Sequence, residues 1–243
     1  MASKVNTKFI ITLGVAIAIG FSAVAYLAVQ SIRKSGEDYI QLGDEAMGKG
    51  QYTEAIGLYG KAVFKDQRNG PWIRKWMEAM ERSTPKGRAA YSEAFGQYQR
   101  AMRALTEAEP SNYEVMHKWL DMQWELTRVQ INLRNLEGFI TGVDDAVKLF
   151  QGSDAEKKKL LRYRGLAQVA MVQPPVRAES KPEELEQARK HLEGALEVNP
   201  ADHEALLGIA GIDLVLAERA RARDDNEKAD QLVDAARARV AKF

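Results

Sequence analysis

Residues 36–69 read GEDYIQLGDEAMGKGQYTEAIGLYGKAVFKDQRN, and their spacing decides the fold. Apolar and small residues recur at helical intervals on both sides of Gly50: Tyr39, Leu42, Gly43 and Ala46 before it, Ala55, Tyr59 and Ala62 after it. Two runs of period 3.6 separated by a glycine stop predict two short helices joined by a tight turn. Gly43, Ala55 and Ala62 offer the least side chain where such helices cross closely, and Tyr59 is the large residue that fills the gap between them.

The second-helix pattern, Ala-x3-large-x2-Ala, returns at Ala94/Tyr98/Ala101, Ala188/Leu192/Ala195 and Ala229/Val233/Ala236. A weaker copy stands at Ala146/Phe150/Ser153. Leu207-Gly208 repeats Leu42-Gly43, and Pro110 and Pro200 stand where a repeat closes. This series resembles the tetratricopeptide (TPR) repeat, W-x2-L-G-x2-Y followed by A-x3-F-x2-A and a proline. Tyr39 stands at the Trp position, Ala46 at the Tyr that follows, and Gln67 replaces the closing proline. The copies are spaced more widely than the family's ~34 residues. The likeness is good over 36–69, fair over 181–240 and poor between.

The resemblance implies an all-α fold in which residues 36–243 form a TPR-like α-solenoid of about five degenerate helix pairs. It also implies a groove, lined by the first helix of each pair, that holds a peptide or helix of a protein partner. By repeat position, Tyr39, Asp44, Lys75, Lys118 and Arg164 are its lining residues. No catalytic role and no cofactor is implied.

Helical periodicity points the same way without the family. Tyr91, Phe95, Tyr98, Met102 and Leu105 make one apolar stripe; Ile209, Ile212 and Leu216 make another. Val115, Trp119, Met122, Leu126, Val129 and Leu133 make a third, on one long helix that Ser111 or Asn112 caps. Trp119 on that stripe is expected in the core. Trp124 falls off it, and either packs on the next helix or anchors a partner on an open surface. Asp225 or Asn226 caps the last helix. No run alternates with period two, so almost no sheet is expected. Residues 172–182, VQPPVRAESKP, form a loop, either a plain connector or a docking loop.

Ahead of the repeats, Phe9 to Val29 reads FIITLGVAIAIGFSAVAYLAV, without a charge. About 20 apolar residues cross a ~30 Å hydrocarbon core, so 9–32 is read as a transmembrane helix behind a short tail, 1–8. A cleaved signal peptide, with Ala23-Val24-Ala25 as its site, and a buried core helix are the competing readings. Gly14, Ala18 and Ser22 recur every four residues, a spacing that brings membrane helices close together. Lys4 and Lys8 on one side nearly balance Arg33, Lys34 and Lys49 on the other. The expectation is a single-pass membrane protein whose body lies on the non-cytoplasmic (periplasmic or luminal) side, as with most N-terminal signal-anchors.

Composition excludes several classes. The chain has 243 residues, 35 Lys and Arg against 34 Asp and Glu, and no Cys. Near-neutrality argues against nucleic acid as partner. The absence of Cys removes disulfides, thiolate metal sites and cysteine nucleophiles. His117, His191 and His203 lack metal-ligand spacing, and no glycine-rich phosphate loop or nucleophile elbow occurs. Asp144-Asp145 and Asp224-Asp225-Asn226 read as helix starts, and Lys157-Lys158-Lys159 with Arg162 and Arg164 as a solvated face. The sequence thus describes a membrane-tethered protein-interaction scaffold, or alternatively a structural accessory subunit of a large membrane complex.

Overall fold

In a computed structural model of the chain, residues 34–241 are described. The expected tail 1–8, the span 9–32 and its Gly14, Ala18 and Ser22 lie outside those residues. Among the described residues there are ten α-helices and no strand, and no helix is long and apolar enough to cross a membrane. The helices are α1 (Gly36–Gly48), α2 (Tyr52–Lys65), α3 (Gly70–Arg82), α4 (Arg88–Ala108), α5 (Tyr113–Val129), α6 (Leu133–Leu149), α7 (Asp154–Val172), α8 (Pro182–Val198), α9 (His203–Arg221) and α10 (Asn226–Val240). Two compact units divide the chain between Ala101 and Met102.

Local chemistry sets the helix starts. Each cap satisfies amide donors that no helical carbonyl reaches. Ser35 and Asp38 close a capping box on α1, and Ser153 and Glu156 do the same on α7. Asn69, Asn112, Asn132, Asp202 and Asp225 accept from the first turns of α3, α5, α6, α9 and α10. The long third stripe is therefore two helices. Asn132 ends the run by starting a new helix, which the apolar periodicity alone conceals.

In the first unit, α1 and α2 pack as the spacing predicts. Ala55, Tyr59 and Ala62 are buried, and a Cβ on Gly43 would stand 2.4 Å from Tyr59 Cε1. Tyr39 belongs to this core at 4 % exposure, and Lys61 Nζ lies 5.7 Å from its ring centroid. Its expected place in a groove is corrected: the position is internal because the aromatic ring packs between the paired helices.

In the second unit, α7–α8 and α9–α10 are close hairpins, while α5 and α6 pack loosely and α6 lies more closely on α7. Of the expected pairs within this unit, that one departs from the pattern. Gly165 of α7 approaches Leu192 of α8 as Gly43 approaches Tyr59, with a Cβ placed 2.8 Å from Leu192 Cγ. Gly208 instead packs backward onto Leu192 of the preceding helix, so Leu207-Gly208 is not a structural copy of Leu42-Gly43. The main core runs from Met116, Leu120 and Trp124 through Phe139, Val143 and Tyr163 to Leu192 and Ile209. Burying each such large side chain contributes about 1.5–3 kcal/mol.

Three further expectations change. The buried face of α5 is Val115, Met116, Leu120 and Trp124; beyond Val115 it lies one column away from the stripe read in the sequence, and Val129 is 80 % exposed. Asp144 and Asp145 sit inside α6 and pair with Arg164 and Lys148. The basic run of α7 is largely engaged within the fold: Lys158 pairs with Glu197, Arg162 with Asp202 at 3.1 Å, and Lys159 Nζ lies 5.3 Å from the Tyr113 ring centroid. The loop after Val172 is tied down by Arg219, whose guanidinium donates to Ser180 O (3.0 Å) and Oγ (3.1 Å).

Candidate protein-binding cleft

Looseness between α5 and α6 leaves a cleft of about 400 Å³ within the second unit. Trp119, Gln123 and Leu126 line it from α5; Arg134, Gly138 and Gly142 line it from α6. Leu120 and Phe139 form its floor. The two glycines differ in kind from Gly43 and Gly165: a Cβ at Gly138 or Gly142 would meet nothing within 4 Å. They border open space rather than permitting contact.

At one end the cleft runs into an exposed apolar rim formed by Leu126 (37 %), Val129 (80 %) and Leu133 (40 %). These three residues stand on either side of the turn that joins α5 to α6. Arg134 is the one charged side chain among the lining residues, and it has no ion-pair or hydrogen-bond partner among the described residues. As the second residue of α6 it stands at the positive end of the helix dipole, where a cation costs about 0.3–1 kcal/mol. The Gln123 Nε2 amide is buried at the wall without a hydrogen-bond partner. A buried donor left unpaired costs about 1–3 kcal/mol.

The residues expected to line one groove are distributed differently. Asp44 and Lys75 do meet: Lys75 Nζ donates to both Asp44 oxygens at 2.6 Å, and Tyr59 Oη donates to Asp44 Oδ1 at 2.7 Å. Burial alone would raise the Asp44 carboxyl; the hydrogen bonds from Lys75 and Tyr59 outweigh it and hold the group below the usual range. Burial, with the Asp44 carboxylate beside it, pushes the Tyr59 phenol far up, so it remains a donor. Lys118 is exposed on α5. Arg164 is half-buried and bound inward, to Asp144 (Nε–Oδ1 2.9 Å) and to His191, whose Nε2 accepts from Nη1 at 3.0 Å. Trp124 is corrected: at 6 % exposure its ring packs 5.3 Å from Phe139, so it is core and not an open anchor. On α5 the half-buried tryptophan is Trp119.

Two polar centres lie inside the second unit. Tyr163 is fully buried; its hydroxyl donates to Asp121 Oδ1 (3.0 Å) and so must accept from His117 Nδ1 (2.9 Å), which fixes the tautomer of that ring. Asp213, 1 % exposed, is gripped by Arg189 and by Arg239 Nε at 3.0 Å. Both centres are partnered from within the unit. No group of three or more His, Cys, Asp or Glu among the described residues is placed to hold a metal ion.

Arg134, Gly138 and Gly142 were missed from sequence. Their signal was present: two glycines four apart inside a helical pattern, in the segment where the Ala-x3-large-x2-Ala copy is weakest.

No family model matches this chain, and no curated protein does. Among solved structures it is similar to the crystal structures of MamA, at 14% identity, a TM-score of 0.43, and coverage of 82% of this chain and 95% of that one. A second MamA structure gives 14%, 0.44, 85% and 92%. It is also similar to the crystal structure of YrrB, described as a TPR protein with an unusual peptide-binding site, at 12% identity, a TM-score of 0.45, and coverage of 88% and 91%.

Proposed function

We infer that this chain is a protein-interaction scaffold of TPR-like helix pairs, held at a membrane by residues 9–32, with its body on the non-cytoplasmic side. The observation that carries the binding half is the α5–α6 cleft with its apolar rim of Leu126, Val129 and Leu133. Arg134 in its lining has no ion-pair or hydrogen-bond partner among the described residues, while the Asp44, Asp202 and Asp213 clusters are paired within the fold. The uncharged run from Phe9 to Val29 supports the tether. A tether raises the local concentration of whatever the cleft holds, so a modest affinity suffices.

Site-specific photo-crosslinking from the full chain in its native membrane tests the binding half. A photoreactive residue at Val129 should trap one discrete protein band, and the same group at exposed Leu207 on α9 should not. Equal labelling from both positions, or none from Val129, overturns the reading. The tether is tested separately: the full chain should stay in the pellet on alkaline carbonate extraction, and release into the supernatant overturns it. Since the chain has no Cys, a Ser111→Cys variant reports sidedness by labelling with an impermeant maleimide in intact cells.

A further inference from the structure

We propose that the α5–α6 cleft takes a peptide segment with a carboxylate side chain at one end and a bulky apolar side chain at the other, the carboxylate on Arg134 and the apolar group over Gly138 and Gly142. This rests on the reading of the cleft as the partner site and names the chemistry of its occupant.

Charge comes first. Arg134 stands at the cleft mouth without a counter-ion, at a helix end whose dipole repels a cation. A carboxylate arriving there meets the guanidinium and the helix dipole together, and both attract it. A basic or neutral segment gains neither. No acidic side chain lines the cleft, so nothing within it competes for Arg134.

Shape comes second. From Arg134 to Gly142 the helix rises ~12 Å, the reach of about four residues of extended chain. Gly138 and Gly142 leave the far half of the cleft without side chains on one wall, and Trp119 supplies an aromatic face on the other. Glycine is a poor helix former, and both glycines line the cleft together with Trp119 and Phe139. The cleft volume of about 400 Å³ falls in the range of about 300–1,000 Å³ usual for ligand pockets.

The experiment is a random-peptide display selection on the purified full chain in detergent, followed by fluorescence polarisation with the enriched peptides. Enriched peptides should carry Asp or Glu within about four residues of Leu, Ile, Phe or Trp. Arg134→Glu should weaken them about tenfold or more, and a fresh selection on that variant should exchange the acid for Lys or Arg. Arg134→Lys should retain the acidic preference. Gly142→Leu, whose side chain enters open space and leaves the fold intact by circular dichroism, should abolish binding. If Gly142→Leu abolishes binding but the acidic preference is absent or survives Arg134→Glu, the charge assignment is overturned and the cleft stands. If binding is indifferent to Gly142→Leu, or no peptide enriches, the cleft itself is overturned.

Discussion

Gly43 lies flat against the ring of Tyr59, close enough that a methyl group at Gly43 would stand 2.4 Å from Cε1 and 2.6 Å from Cδ1. The Tyr59 ring cannot retreat, because its hydroxyl is held by Asp44 and its faces are buried. Gly43→Ala is therefore expected to destabilise the first unit by about 1–3 kcal/mol, the usual cost of overpacking. The same substitution at Gly142 meets nothing, and is expected to stabilise by about 0.5–1 kcal/mol through helix propensity alone. Thermal melts followed by circular dichroism give opposite signs if the two glycines differ as described. Equal signs refute the distinction.

That contrast also shows what could be read in advance. The α1–α2 hairpin was legible because Gly43, Ala55, Tyr59 and Ala62 act through local spacing, which a sequence displays directly. Caps at Asn112 and Asp225 were legible for the same reason. The face of α5 was not: Trp119, Met122 and Leu126 make as good a stripe as Met116, Leu120 and Trp124, and only the neighbouring helices select between them. Arg164 and Tyr39 were misplaced because repeat position reports which helix carries a residue, not which neighbour engages it. The basic run of α7 looked like a free face because Glu197 and Asp202, its partners, lie on other elements.

Asp213 tests the value of a buried charge. It is enclosed on α9 between Arg189 of α8 and Arg239 of α10. Removing the carboxylate leaves two cations facing each other in a poorly solvated site, and breaking such a network costs about 3–5 kcal/mol. Asp213→Ala should accordingly unfold the last three helices first, seen as early loss of amide protection in hydrogen exchange over 182–240. A variant melting within experimental error of the parent would show that the network contributes nothing.

Acid should weaken the second unit before carboxylates titrate. Burial lowers the affinity of His117 for a proton; Arg162 and Lys159 add to this, against Asp121 and Glu114. Burial likewise lowers that of His191, helped by Arg164 and opposed by Asp144. Both folded-state values lie below the unfolded value of about 6.5, so the unfolded chain takes up protons first. Stability present above about pH 6.5 is lost as pH falls through the window beneath it. His117→Asn keeps a donor for Tyr163, and His191→Gln keeps an acceptor for Arg164, while neither titrates. The doubly substituted chain should lose less melting temperature than the parent on going from neutral to mildly acidic buffer. An unchanged slope would remove both histidines from the explanation.

The two tryptophans of α5 separate core from cleft. Trp124 packs on Phe139 at 5.3 Å and is nearly enclosed, so Trp124→Ala should cost about 3–5 kcal/mol. Trp119 is half-buried beside an opening, and Trp119→Ala should cost only about 1–2 kcal/mol while removing one wall of the cleft. Fluorescence distinguishes them without relying on stability. Acrylamide should quench the parent less effectively after Trp119→Phe, because an accessible indole has been lost. It should quench more effectively after Trp124→Phe, because a protected one has. A bound peptide should shield the parent and leave the Trp119→Phe chain unchanged. If the order of quenching is reversed, the inward column of α5 is the one read from the sequence stripe, and the cleft loses its aromatic wall.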